Sequence, residues 1–165
     1  MKADKVYLIG FMGAGKSTVA RSLARRLDWK ALDIDDLIEK QEHQTVSNLF
    51  ARHGEPYFRT VERTVLLGLA GARHAVVATG GGTFVDPQNR TFINGDGLSV
   101  WLDVPLDRLI GRIPVDGRRP LAADRVEFER LYCARRAAYE QAHVKIDAGR
   151  GSVDAIVEEL LDRLQ

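Results

Sequence analysis

Short apolar runs alternate with longer amphipathic stretches along this chain. Most of the runs contain β-branched residues and stop beside a glycine or an aspartate, a pattern typical of buried parallel strands. Five strands are predicted, at residues 6–9, 30–33, 75–79, 98–102 and 144–147.

The stretches between these runs have the spacing of amphipathic helices. In the first of them Val19 and Leu23 share one face, whereas Arg21 and Arg25 share the other. Helices are predicted over 17–27, 36–41, 45–73 with a break at Gly54, 87–94, 105–113, 124–142 and 153–164. Strands that alternate with helices predict a three-layer α/β/α fold, in which helices cover both faces of a five-stranded parallel sheet.

Residues at the predicted helix ends agree with these boundaries. Thr45 and Asp36 are predicted N-caps, since short polar side chains accept hydrogen bonds from the first turn of a helix. Gly54 suits a helix end, and Pro56 suits the first turn of the helix that follows. In that second helix Glu62 lies off the apolar stripe.

The segment between the first strand and the first helix carries the strongest motif. Residues 10–17 read GFMGAGKS, the G-x-x-x-x-G-K-S pattern of a phosphate-binding loop. Its backbone N–H groups form an anion nest at a helix N-terminus, Lys16 is expected to reach the β- and γ-phosphates, and Ser17 to bind Mg²⁺. The residues expected to bind the nucleotide here are Gly13, Ala14, Gly15, Lys16, Ser17 and Thr18.

Acidic residues and glycines follow the next two strands. If the chain stays extended after the second strand, Asp33 and Asp35 point the same way. One would hold Mg²⁺ through water, and the other would accept a hydrogen bond from a substrate hydroxyl. The alternative is that these acids only cap the next helix. Glycines 80–82 offer either bare N–H groups to a ligand or merely a sharp turn, and the residues leave both interpretations open.

Arginines supply the remaining candidate chemistry. Arg59, Arg119 and Arg135 carry planar forks that fit carboxylate or phosphate. Positive residues are dense around the proline-containing segment 112–124, which is predicted to be a lid that closes over the nucleotide. The arginines at 125, 130 and 136 are interpreted as solvated helix faces.

Composition and charge narrow the class of protein. The 165 residues suit a single domain over 1–165, with 45% hydrophobic and 28% charged residues. A net charge of +1 gives no bulk attraction to nucleic acid or membrane, and no apolar run approaches membrane-spanning length. Cys133 is the only cysteine, so no intramolecular disulfide is possible and a cytoplasmic location is expected. Because Cys133 lies within a predicted helix, it is interpreted as a packing residue. The four histidines lack metal-ligand spacing.

Several segments together resemble shikimate kinases along almost the full length of the chain. The matching segments are 10–18 (GFMGAGKST), 32–39 (LDIDDLIE), 46–62 (VSNLFARHGEPYFRTVE), 78–84 (ATGGGTF), Arg90, 118–122 (RRPLA), and Arg135 four residues before Tyr139. The phosphate loop alone is unspecific for substrate, but the combination in this order is highly specific.

The resemblance implies transfer of phosphate from ATP to the 3-hydroxyl of shikimate in aromatic amino-acid biosynthesis. It implies the nucleoside-monophosphate-kinase fold with strand order 2-3-1-4-5, a substrate-binding helical subdomain at about 34–62 and a lid at about 112–124. A monomer is also expected. Asp35 would bind the shikimate hydroxyls, the Gly81 N–H would contact the substrate, and Arg59 and Arg135 would grip its carboxylate.

The resemblance also implies roles on the nucleotide side. Ser17 would coordinate Mg²⁺, and Asp33 would hold its hydration shell. Arg119 would reach the phosphates from the lid, and Arg112 would lie near the adenine. The usual proline before Tyr139 is missing here, so Arg136 remains an alternative to Arg135. The loop 148–153 also lacks a proline that often packs near adenine, and the lid has Leu-Ala where two leucines are common.

Two other functions remain as alternatives. Another small-molecule kinase with the same loop, such as a gluconate kinase, is disfavoured by Asp35 and by the G-E-x-x-F-R run at 54–59. A nucleotide-binding module without a small substrate is the second alternative. The chain contains no N-K-x-D motif of the kind that GTPase switches use for base recognition.

Overall fold

The computed structural model describes residues 3–112 and 125–165. The strands are β1 (Lys5–Ile9), β2 (Lys30–Asp33), β3 (Ala75–Ala78), β4 (Leu98–Asp103) and β5 (Val144–Asp147). The helices are α1 (Lys16–Leu27), α2 (Ile34–Glu42), α3 (Val46–Leu67), α4 (Pro87–Asp96), α5 (Leu106–Arg112), α6 (Arg125–Tyr139) and α7 (Val153–Leu164), with a 3₁₀ turn at Thr83–Val85.

The five strands form one parallel sheet in the order β2-β3-β1-β4-β5. Every residue of β1 and β3 is buried, whereas β2 and β5 at the edges are partly exposed. Successive side chains of a strand point to opposite faces, so full burial of β1 and β3 means that both faces of the sheet are covered. The predicted fold class and the strand order implied by the resemblance are confirmed.

The strand register brings three loops to one edge of the sheet. Asp33 at the end of β2 is level with Ala78 of β3, and Ala78 is level with Leu8 of β1. The carboxyl ends of these strands therefore meet where the loop 10–17, Asp33 and the glycines 80–82 follow. Ligand sites of parallel α/β sheets form at this edge.

The start of α2 differs from the prediction. The helix begins at Ile34, so Asp35 lies in its first turn rather than on an extended segment. The cap is Asp33, whose Oδ1 accepts a hydrogen bond of 3.2 Å from the Asp36 N–H, so the prediction of Asp36 as the cap was wrong. The sequence DIDD contains three possible caps, and the end of β2 decides between them.

The long helix α3 agrees with the prediction at its start and differs at its end. The Thr45 side chain accepts a hydrogen bond of 3.1 Å from the Asn48 N–H, which confirms the cap. Gly54 interrupts the helix with φ 80° and ψ 172°, as the predicted break requires. The helix ends at Leu67 rather than at residue 73, because Gly68 and the following turns close it.

Two side chains have surroundings other than those expected. Cys133 is exposed on α6 rather than packed in the core. Arg136, interpreted as a solvated residue, pairs with Asp103 at 3.0 Å and with the Tyr132 hydroxyl at 2.7 Å. Residues 113–124, which include Arg119 and nearly all of the predicted lid, lie outside the described residues. Within 3–112 and 125–165, no helix is long and apolar enough to span a membrane.

Candidate active site

The phosphate loop has the backbone that its motif predicts. Gly13 and Gly15 have φ of 85° and 93°, a region that favours glycine because it has no Cβ. No side-chain hydrogen bond caps α1, whose N-cap is Gly15. The first N–H groups of a helix lack carbonyl partners within the helix, so they suit a bound anion. Partial positive charge at this helix end adds to the attraction for phosphate.

Lys16 lies against the loop rather than in solvent. Only 8% of it is exposed, and its Nζ donates hydrogen bonds to the carbonyl oxygens of Gly10 (2.6 Å) and Phe11 (2.9 Å). These contacts hold the ammonium group beside the curve of the loop. A cavity of about 190 Å³ lies here, and its lining includes Gly13, Ala14, Gly15, Lys16, Ser17 and Thr18.

Ser17 and Asp33 form the oxygen-rich side of this cavity. The Ser17 hydroxyl donates a hydrogen bond of 2.5 Å to Asp33 Oδ2, while Asp33 Oδ1 caps α2. Asp33 therefore caps α2, as the alternative interpretation expected of these acids, while its other oxygen faces Ser17. A hydroxyl beside a carboxylate is a hard oxygen donor set, and this set fits Mg²⁺.

A second cavity, of about 520 Å³, lies on the β2–β3 side of the phosphate loop. Its walls come from α3, from α6 and from the glycine turn after β3. The residues that line it are Met12, Asp35, Val46, Ser47, Phe50, Ala51, Glu55, Phe58, Arg59, Glu62, Gly80, Gly81, Gly82, Leu131 and Arg135. We call it the acceptor cavity.

The two cavities share part of their lining. Asp35, Gly80 and Gly81 border both the acceptor cavity and the phosphate-loop cavity. Asp35 Oδ1 lies close against this turn, 3.2 Å from the position that a Cβ on Gly80 would take. A carboxylate thus lies where a group held in one cavity faces a group held in the other.

Arg59 is fixed on the α3 wall by acidic neighbours. Its Nη1 pairs with Glu62 Oε1 at 3.0 Å, and its Nε lies 3.4 Å from Glu55 Oε1. Burial lowers the pKa of Arg59, but the Glu62 and Glu55 carboxylates together outweigh burial, so the pKa lies above its ordinary value. Glu62 is only 1% exposed, and its Oε2 accepts a hydrogen bond of 2.8 Å from the Thr83 hydroxyl.

Arg135 on the α6 wall has different surroundings. Its guanidinium lies over the Phe11 ring, 5.7 Å from the centroid, and beside the buried hydroxyl of Tyr139. Burial lowers the pKa of Arg135 below its ordinary value, and the nearby positive charge of Arg59 adds to this effect. No carboxylate of the described residues forms an ion pair with Arg135.

The glycine turn fits closely against both arginines. A Cβ on Gly82 would lie 2.7 Å from Arg59 Cζ, and a Cβ on Gly81 would lie 2.9 Å from Arg135 Nη1. Both distances are below ordinary van der Waals contact, so a side chain at either position displaces a guanidinium. The turn therefore provides a bare backbone surface against which the two cations are held.

Two other predicted arginines, Arg136 and Arg112, do not line the acceptor cavity. Arg136, the alternative to Arg135, lines a separate depression over the ends of β4 and β5, together with Asp103 and Tyr132. Arg112 is exposed at the end of α5, next to the segment that the structure does not describe. Arg119 belongs to that segment.

Sequence reasoning missed four contributors to the site. Glu62 and Thr83 hold Arg59, and Phe11 and Tyr139 surround Arg135. Phe11 occupies a variable position of the loop motif, which carries no signal of its own. Glu62 follows Arg59 by three residues, and side chains at this spacing on a helix are neighbours that can form an ion pair. This spacing was the signal that could have identified Glu62.

Comparisons with known proteins agree with this geometry. The shikimate kinase family profile matches residues 12–165. The chain is 38% identical to the shikimate kinase of Persephonella marina, over 97% of this chain and 98% of that protein. It is 41% identical to the shikimate kinase of Salinibacter ruber, over 97% of this chain and 82% of that protein.

A solved structure extends the similarity to three dimensions. The shikimate kinase of Acinetobacter baumannii, in complex with shikimate, has a TM-score of 0.93 and 34% identity to this chain. The match covers 98% of this chain and 92% of that one. Sequence profile, relatives and structure thus agree over nearly the whole length, and the chain belongs to the shikimate kinase family.

Proposed function

We propose that this protein transfers the γ-phosphoryl group of ATP to the 3-hydroxyl of shikimate, giving shikimate 3-phosphate and ADP. The observation that carries the proposal is the rim of Asp35, Gly80 and Gly81, which borders a phosphate-binding cavity on one side and a cavity with two arginines on the other. The chain belongs to a family of ATP-using kinases. Its relative from A. baumannii was solved in complex with shikimate.

The donor half is the phosphate loop. The N–H groups at the start of α1 and the Lys16 ammonium bind the β- and γ-phosphates. Ser17 and Asp33 are the residues that would hold Mg²⁺, which neutralises charge on the phosphates when it is bound. Arg112 would border the adenine, and Arg119 would reach the phosphates from the lid.

The acceptor half positions a small carboxylated polyol. Arg59 and Arg135 bind the carboxylate, since a guanidinium fork matches its two oxygens. The Gly81 N–H contacts the substrate, and Asp35 accepts hydrogen bonds from the ring hydroxyls. The 520 Å³ volume of this cavity suits a ligand of that size.

The chemical step needs positioning more than covalent help from the protein. A bond forms between the 3-oxygen of shikimate and the γ-phosphorus, while the bond from that phosphorus to the bridging oxygen of ADP breaks. Asp35 orients the hydroxyl and accepts its proton, because it is the carboxylate on the shared rim.

Two parts of the chain are proposed to move. The helical segment 34–62 contains α2 and most of α3 and carries Asp35 and Arg59, so its motion would close the acceptor cavity. The lid, 112–124, would close over the nucleotide and exclude water. Hydrogen exchange with and without ADP and shikimate tests this, since protection is expected in both segments and not in β1.

We also propose a cytoplasmic monomer with no nucleic-acid or membrane partner. Support comes from the net charge of +1 and the single cysteine. The large exposed apolar side chains among the described residues are few and spread over α3, α6 and the 3₁₀ turn. Light scattering is expected to give a mass near 18.4 kDa.

The substrate is tested by a coupled ADP-release assay with shikimate, quinate and gluconate. Turnover is expected with shikimate, and turnover of gluconate in its place would refute the proposal. Binding of ATP with no turnover of any of the three would favour the nucleotide-binding module.

The role of Asp35 is tested by Asp35→Asn. A positioned base contributes about 10²–10⁴-fold, so kcat is expected to fall by at least about 100-fold while ATP binding persists. Asp36→Asn is the matched control, because Asp36 is an exposed acid on the same turn that does not line the acceptor cavity. Equal activity of Asp35→Asn and wild type would remove Asp35 from the mechanism.

A further inference from the structure

Tyr139 lies where α6 meets the glycine turn and has no role in the reaction as described so far. It is 1% exposed, and its ring packs beside Trp101 of β4, with 5.8 Å between ring centroids. Its hydroxyl donates a hydrogen bond of 2.5 Å to the Gly81 carbonyl oxygen. A rigid, buried side chain thus connects the sheet, the helix and the turn.

The same hydroxyl also faces Arg135. The Arg135 guanidinium lies beside the Tyr139 oxygen, and its Nη1 packs against the glycine turn, 2.9 Å from the position that a Cβ on Gly81 would take. A phenol has one proton to donate, and that proton is directed to Gly81. The oxygen therefore turns only lone pairs toward the neighbouring Arg135, which can only donate.

We propose that Tyr139 is a positioning residue that holds the Arg135 guanidinium against Gly81, in the orientation that receives the substrate carboxylate. This inference rests on the proposed function. Tyr139 does not line the acceptor cavity, so it acts through Arg135 and Gly81 rather than by touching the substrate. It does on the α6 wall what Glu62 does on the α3 wall, without a negative charge that would compete with the substrate.

The chemistry of a phenol suits this task. Burial raises the pKa of Tyr139 to about 12, so the hydroxyl keeps its proton at any working pH. A carboxylate in its place would neutralise Arg135 and weaken its attraction for an anion. A neutral oxygen fixes the guanidinium and leaves its charge for the ligand.

The test is Tyr139→Phe, which keeps the ring and removes the hydrogen bond to Gly81 and the oxygen beside Arg135. We expect the KM for shikimate to rise about tenfold, because the loss of the buried hydrogen bond to Gly81 lets the glycine turn and Arg135 shift. The KM for ATP is expected to stay within about twofold, since no hydrogen bond among the described residues joins the hydroxyl to the loop 10–17. Tyr7→Phe is the matched control, because it removes another buried hydroxyl, which donates 2.6 Å to Asp96 far from the cavities.

A double-mutant cycle separates positioning from a merely structural role. In an Arg135→Met background, Tyr139→Phe is expected to cause no further rise in the KM for shikimate. An equal rise in both backgrounds, or an unchanged KM in the single variant, would overturn the inference. Inactivity of the wild type toward shikimate would instead refute the proposed function, so the two failures are distinguishable.

A measurement on the native chain covers the case in which the variant fails to fold. With ¹³Cζ-labelled tyrosine, NMR resolves the four tyrosines, and variants at the other three positions identify Tyr139. Saturation with shikimate is expected to shift the Tyr139 resonance and leave that of Tyr7 unchanged. Shikimate binding without any shift at Tyr139 would contradict the inference.

Discussion

Each of the two walls of the acceptor cavity holds an arginine, and the neighbours of the two guanidinium groups differ. On the α3 wall Arg59 is paired with the buried carboxylate of Glu62. On the α6 wall Arg135 lies among an aromatic ring, a hydroxyl and a glycine backbone. The pKa of Arg59 is raised and that of Arg135 is lowered, because carboxylates compensate the charge of Arg59 more fully than that of Arg135.

This difference separates stability from binding. A compensated charge contributes to folding and has less attraction left for a ligand, whereas an uncompensated one reduces stability and attracts an anion. Functional sites commonly break the rules of a well-satisfied interior. The α6 wall, with Arg135, is such a site.

The largest expected effect is on stability, in Arg59→Met. This substitution leaves the Glu62 carboxylate buried without its cation, which costs about 3 kcal/mol of unfolding free energy. Arg135→Met is expected to change stability by less than about 1 kcal/mol, because a buried charge with no carboxylate partner is replaced by an apolar side chain. Urea unfolding measures both, and equal losses would remove the distinction between the walls.

The next effect is on binding, in Arg135→Met. Removing a buried charged partner of a ligand carboxylate costs about 2–5 kcal/mol, so kcat/KM for shikimate is expected to fall by about 100-fold or more. Arg136→Met, at the neighbouring position, is the control and is expected to stay within about threefold of wild type. A larger loss of kcat/KM in Arg136→Met than in Arg135→Met would show that Arg136, and not Arg135, binds the carboxylate.

A smaller effect is expected from Gly82→Ala. Gly82 has φ −103°, which any residue adopts, so the new methyl group acts only by displacing Arg59. We expect about a tenfold rise in the KM for shikimate and none in the Arg59→Met background. Gly95→Ala is the control, because a Cβ there meets nothing within 4 Å. An equal rise in both backgrounds would show that Gly82 acts on something other than Arg59.

The smallest effect is expected from Thr83→Val. The Thr83 hydroxyl donates to Glu62 and accepts a hydrogen bond of 2.9 Å from the Gly80 N–H. Its loss is expected to cost about 1–2 kcal/mol of stability and to raise the KM for shikimate about twofold. If the KM rose as much as in Arg135→Met, the compensated wall would contribute as much to binding as the other.

The sequence predicted the backbone elements that form this site, but not which charged and polar side chains pair within it. The loop 10–17, the strand ends and the strand order follow from local motifs, periodicity and the family resemblance. Glu62 could not be assigned in this way, because its burial depends on the glycine turn about 20 residues later in the chain. Asp33 was ambiguous for a similar reason, since only the folded geometry shows one oxygen toward Ser17 and the other toward the α2 amides.

The contrast between the arginines was equally beyond the sequence. Arg59 and Arg135 are the same residue type, and both were assigned to a carboxylate. What distinguishes them is the neighbours that other elements bring: α3 supplies an acid, and the phosphate loop supplies Phe11. Such neighbours are set by packing between elements distant in the chain, which periodicity does not report.

Phosphorylation of shikimate and recognition of its carboxylate are tested most directly by ³¹P NMR of the wild-type enzyme, with MgATP and an equimolar mixture of shikimate and its methyl ester. The ester keeps the hydroxyls and removes the charge that Arg135 is proposed to bind. We predict a phosphorylated product from shikimate and an about 100-fold slower reaction of the ester. Phosphorylation of both at equal rates, or release of inorganic phosphate alone, would contradict it.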